Sequence, residues 1–175
     1  MNDRASAPGA LALVQALVNT LDLESGADAL DTSEGRAPFG VAPGAELTAA
    51  RELRESLRAA CLAHAGHAPH APVPPLSQLL MGAPLLVKIS EEDGSAELTP
   101  AEPSKLASRV AAAIAEAVTA GTWSRLKACE AADCHWAYYD RSPASRSRWC
   151  DMGVCGARAK MRAYRARKTP PPGQR

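Results

Sequence analysis

Five cysteines occur in the 175 residues, and four of them, Cys129, Cys134, Cys150 and Cys155, form two pairs with four residues inside each pair. Zinc in a structural role takes four thiolate or imidazole ligands at the corners of a tetrahedron, usually as two short-spaced pairs from separate knuckles. The spacing therefore predicts one structural Zn2+ held by these four thiolates. The competing chemistry is two disulfides. The chain opens Met1-Asn2-Asp3-Arg4, without the basic start and long apolar core of a secretion signal. A reducing cytoplasmic setting is the expectation, and thiols stay reduced there. His135 directly follows Cys134; adjacent residues rarely both reach one tetrahedral ion, so it reads as a group beside the metal or on the surface.

Four thiolates close the coordination sphere, whereas a catalytic zinc keeps one position open. The sequence also lacks Gly-x-Ser-x-Gly, a phosphate-cradling glycine loop and His-Glu-x-x-His. No enzyme is expected, and no catalytic residue is assigned. No apolar stretch reaches the roughly eighteen residues of a membrane span.

Charge divides the chain. Residues 1–120 hold eight Lys/Arg against fifteen Asp/Glu, a net of −7, and residues 121–175 hold twelve against four, a net of +8. An acidic body carrying a basic arm points to a polyanion as partner, with double-stranded DNA the leading candidate. From Gly156 to Lys168 the arm lacks proline and is rich in alanine, arginine and lysine, so a helix is expected. At 100° per residue, Arg158, Arg162 and Arg165 share one stripe, Met161, Tyr164 and the stem of Lys168 another, and Lys160 and Arg167 a third edge. The expectation is arginine outside and apolar residues inside, with these six cations contacting nucleic acid. A purely solvated basic helix is the plainer reading. Thr169 to Pro172 should end the helix, leaving 169–175 as a disordered tail.

Of the seven aromatic residues, only Phe39 lies outside 123–164. Small zinc modules have little core, so Trp136, Tyr138 and Trp149 are expected to pack over the metal and form the finger core. Tyr139, alternating with Tyr138 along an extended segment, is the candidate for stacking on a base. Asp140 is expected to pair with Arg148 or Arg158.

The preceding 120 or so residues suffice for one ordinary core. Leu11, Val14, Val18 and Leu21 recur at helical spacing, as do Leu47, Ala50, Arg54, Leu57 and Cys61 within Glu46–Ala65. Cys61 reads as a small buried hydrophobe. Residues 24–45 read as a loop anchored by Phe39. His64, His67 and His70 fall in a polar linker broken by Gly66 and Pro69, not on a metal-binding face. Residues 85–89 and 96–99 flank a glycine-containing turn and predict a β-hairpin. Pro103 then opens a helix from Ser104 to about Ala120, with Leu106, Val110, Ala113, Ile114 and Val118 inward.

The segment from Cys129 to Lys168 reads C-x4-C-H-W-x-Y-x-D-x-S, then R-W-C-x4-C-G-A-R-x-K-x-R-x-Y-R-x-R. It resembles the CGNR-type zinc finger, in which a tryptophan precedes the third ligand, as Trp149 does, and an Asp-x-Ser element follows the first knuckle, as Asp140 and Ser142 do. Upstream, Leu11-Ala12-Leu13 and Val18-Asn19-Thr20-Leu21 resemble the start of the ABATE domain. The resemblance implies a bacterial stress-induced transcription regulator. One position departs: the family tetrapeptide Cys-Gly-Asn-Arg stands here as Cys155-Gly156-Ala157-Arg158. An asparagine there could cap the following helix, and alanine cannot, a loss of about 1 kcal/mol.

Together these readings give an α+β chain: a mostly helical N-terminal domain, 1–121, with a small β-hairpin, followed by a four-cysteine, treble-like zinc finger with a basic helix, 122–168. The N-terminal domain would sense a small-molecule effector or form a homodimer. The alternative is a zinc-stabilised protein-interaction module, or an RNA binder, without sequence-specific DNA recognition.

Overall fold

The computed structural model describes residues 6–168. The first periodic segment forms helix α1, Leu11–Val18. A four-residue helix α2, Ser33–Arg36, follows, and then α3, Ala45–His64. The apolar spacing does its work: Leu11, Val14 and Val18 are buried, as are Ala50, Leu57 and Cys61. Burial pushes the Cys61 thiol up to about 12, so it stays protonated and inert. Arg54, on the same stripe, is buried because its Nη1 donates to Asp28 Oδ1 at 2.7 Å.

Residues 24–45, expected to be a loop, contain short helical turns. Thr32 caps α2 by accepting from the Gly35 N–H, and Asp28 caps the turn Ala29–Asp31 by accepting from the Leu30 N–H. Asx and threonine side chains at these spacings satisfy the first N–H groups of a turn. Phe39 is buried, as anticipated, and Leu30 joins it.

A short helix α4, Leu76–Leu79, precedes strands β1, Leu85–Ile89, and β2, Ala96–Pro100. They pair antiparallel with Val87 opposite Leu98. The turn closes at Gly94, whose φ of 69° falls where glycine is favoured. Helix α5, Leu106–Thr119, starts two residues later than expected. Val110 and Ala113 face the core, but Val118 is exposed and Ala117 takes the inward position. The line through Leu106, Val110 and Ala113 continues to Ala117, while Val118 sits on the flanking edge with Ile114.

Helices α1, α3 and α5 pack pairwise, and the first hairpin lies on α5. A second two-stranded sheet, β3, Leu126–Ala128, with β4, Ala137–Tyr139, packs on α3 and α1. Leu126, Ala128 and Ala137 are fully buried and belong to the same apolar cluster as Leu11, Leu57 and Val110. Packing is thus continuous across residues 121 and 122. Helix α6, Ala157–Lys168, ends the described chain, and the tail 169–175 lies outside the described residues. The architecture is α+β.

Candidate metal centre and nucleic-acid interface

The four expected cysteines converge. Their sulfurs all lie within 4.8 Å of one another, and no other group of three or more His, Cys, Asp or Glu side chains among the described residues gathers so closely. All five cysteines are free thiols. Cys134 Sγ is 3.6 Å from Cys150 Sγ, and Cys150 Sγ is 3.7 Å from Cys155 Sγ. A tetrahedron with zinc–sulfur bonds of about 2.3 Å has edges of about 3.8 Å, so the cluster already has the size that zinc requires.

Local hydrogen bonds build the two knuckles. Cys129 leaves β3 with its N–H donating to the Trp136 carbonyl at 3.0 Å, and the N–H groups of Cys134 and His135 both donate to the Ala131 carbonyl at 2.9 and 3.1 Å. Opposite them, Asp151 Oδ1 accepts from the Gly153 and Val154 N–H groups at 2.7 and 3.0 Å, winding the turn Met152–Gly156 that carries Cys155. A Cβ at Gly156 would lie 3.1 Å from the Met152 sulfur and 3.2 Å from the Trp149 ring, so a larger residue there would require both side chains to shift.

The donor chemistry fits a divalent cation. Hydrogen bonds from Cys134 and Cys150 hold the Cys129 thiol well below its ordinary range. That thiolate in turn pushes Cys134 and Cys150 up, while burial raises Cys155. Four sulfurs in one shell cannot all ionise on their own, and a dication removes the conflict. The cluster fits one structural zinc ion, which would be held by Cys129, Cys134, Cys150 and Cys155.

The N-terminal helices grip the first knuckle. Asn19 Nδ2 donates to the Ala137 carbonyl at 2.9 Å, and the Ala137 N–H donates to Asn19 Oδ1 at 2.7 Å. Arg58, fully buried, donates to the carbonyls of Val18 at 2.8 Å and His135 at 2.9 Å, with Glu55 compensating its charge at 2.9 Å. His64 Nδ1 lies 2.8 Å from the Leu126 carbonyl oxygen. Sequence reasoning missed these anchors; the Val-Asn-Thr-Leu pattern held Asn19 in view without giving it a partner.

Several expected contacts fall elsewhere. Asp140 pairs with neither Arg148 nor Arg158: it is buried, accepts from Lys127 Nζ at 2.8 Å, from Ser142 and from the Ser147 N–H, and so orders the segment leading to Cys150. Arg148 forks onto Glu130, and Arg158 reaches Glu24 at 3.0 Å. Among the expected finger-core residues, Trp149 packs on the cysteines, Tyr138 is buried with its hydroxyl donating to the Ser147 carbonyl at 2.6 Å, and Trp136 is half-buried. Tyr139 is no free stacking platform; it is half-buried against the body, with the Arg141 guanidinium 5.3 Å from its ring.

The polar linker that carries His67 and His70 is mostly exposed but touches the finger. His67 Nε2 lies 3.7 Å from Glu130, and the His70 ring meets that of His135 at 5.3 Å. Burial, followed by the nearby charge of His70, lowers the affinity of His135 for a proton.

Helix α6 differs most from expectation. Arg158, Lys160, Arg162, Arg165, Arg167 and Lys168 are all exposed, and no residue of α6 is buried. Met161 and Tyr164, placed inside by periodicity, are 51 % and 46 % exposed. Ala157 is already helical, with φ −65° and ψ −45°, after the turn that Asp151 caps. An asparagine at 157 would not stand at an N-cap, so the expected capping loss does not arise.

A family model described as "Putative stress-induced transcription regulator", ABATE, matches residues 11–121. The chain belongs to the ABATE family. Behind the ABATE region, the model of the CGNR zinc finger matches residues 125–168, the stretch that holds all four clustered cysteines. Comparison with curated proteins returns no match. Neither family description names an enzyme. No helix among the described residues is long and apolar enough to cross a membrane.

Proposed function

We propose that this ABATE protein is a transcription regulator that binds double-stranded DNA through α6, with its zinc centre setting the direction in which that helix leaves the body. The observation that carries this reading is a helix with six exposed cations and no buried residue, starting directly after the turn that carries Cys155. A helix with no buried residue derives little stability from tertiary contact. Its surface suits a polyanion, and a helix of twelve residues, about 18 Å long, spans a major groove about 12 Å wide.

The metal in this reading supplies structure. Arg158, Arg162 and Arg165 would face the groove, with Lys160 and Arg167 toward phosphates. Sites for a small effector or a second copy belong to the acidic N-terminal region in the same proposal. The test is selection from a random duplex library by zinc-loaded and zinc-stripped protein at physiological salt. A shared motif enriched only with zinc supports the regulator; no enrichment in either sample favours the protein-interaction alternative.

A further inference from the structure

The arginine face of α6 is not purely cationic. Val154 and Met161, 38 % and 51 % exposed, share a shallow groove of about 510 Å³ with Arg158, Arg162 and Arg165. Around the helix, Arg162, Arg158, Arg165 and Met161 follow one another within about 100° of arc. The thioether therefore stands on the edge of the guanidinium row.

An exposed apolar group set among exposed cations marks a contact surface. The charge selects a nucleic acid as its occupant. Within a duplex, the major-groove feature that an apolar side chain recognises is the C5 methyl of thymine, while arginine pairs bidentately with guanine. RNA lacks that methyl, and its A-form major groove is too deep and narrow for side chains to read.

Resting on the DNA-binding reading above, we propose that Met161 contacts a thymine methyl beside a guanine held by the arginine row, so that the target is B-form DNA with thymine next to guanine. Met161 is a specificity residue in this account, and the arginines supply most of the affinity.

The test uses full-length zinc-loaded protein and the most enriched duplex from the random library, synthesised with thymine or with deoxyuridine at each thymine in turn. Deoxyuridine removes one methyl and leaves base pairing intact. At one position it should weaken binding by about fourfold, from the value of one buried methyl-sized group. Met161→Ala should bind the thymine and deoxyuridine duplexes equally, while Met161→Leu keeps the discrimination. Zinc content and melting temperature check that each variant is folded.

Wild-type protein that binds tightly but ignores every deoxyuridine substitution overturns the methyl contact and leaves DNA binding standing. Discrimination that persists in Met161→Ala overturns the assignment to Met161. Absence of any enriched duplex removes the DNA-binding reading and this inference with it.

Discussion

Asn19 and Ala137 exchange two hydrogen bonds, at 2.9 and 2.7 Å, so that a side-chain amide at the end of α1 pairs with the backbone of β4 as a neighbouring strand would. The first zinc knuckle is thereby fixed to the body. Asn19→Ala leaves the Ala137 N–H without this partner in a part-buried site, and Gln15 Nε2, 3.3 Å from the Ala137 carbonyl, compensates only the acceptor. Stability should fall by about 1–3 kcal/mol with zinc still bound. Urea unfolding of zinc-loaded wild type and variant measures it, and an unchanged midpoint would refute the role of the pair.

Asp28 gives a pH signature. Burial alone would raise its carboxyl, but hydrogen bonds from Arg54 and the Leu30 N–H, with the charges of Arg54 and Arg51, hold it below the usual carboxylate range. A folded pKa below the unfolded one means stability that is present above the unfolded value, near 3.9, and lost as pH falls through the folded value. Asp28→Asn should therefore cost about 1–3 kcal/mol at pH 7, and the gap between variant and wild type should narrow below about pH 4. Comparing the two proteins at each pH removes the shared effect of acid on the thiolates. A gap constant from pH 7 to pH 3 would show that the charge is not the source.

Removal of zinc should loosen the chain unevenly. The division into 1–121 and 122–168 read from the sequence implies that Cys150→Ser unfolds the second part as a unit and spares the first. We expect the unfolding boundary to lie later, because Leu126, Ala128 and Ala137 belong to the helical core and Ala137 is tied to Asn19. Hydrogen exchange after chelation, or in Cys150→Ser, should show protection lost across 141–168 and largely kept in β3 and β4. Uniform loss from residue 121 onward would show instead that the metal holds the sheet.

The metal site was legible in the sequence because zinc chemistry fixes both residue type and spacing, and both knuckles are local. The stripes of α1 and α3 were legible for a similar reason, since burial on one face imposes a period. Periodicity tells which residues share a face, not what the face meets, which is why Met161 and Tyr164 were placed inward although no residue of α6 is buried. The anchors Asn19–Ala137 and Arg58–His135 join residues 118 and 77 positions apart. A single side chain bonded to a distant backbone group leaves no pattern to read. Asp140 was misassigned because any nearby cation suits a carboxylate on paper; only the fold shows Lys127 buried beside it.

The central claim, a zinc-held helix that binds duplex DNA through its cations, is tested most directly by duplex affinity against salt concentration for wild type and the Arg162→Ala/Arg165→Ala variant. The wild type should show a log–log slope of about −0.9 for each phosphate neutralised, and the variant a slope shallower by about 2, with zinc content unchanged. Affinity indifferent to salt, or a variant that binds with the wild-type slope, would contradict the account.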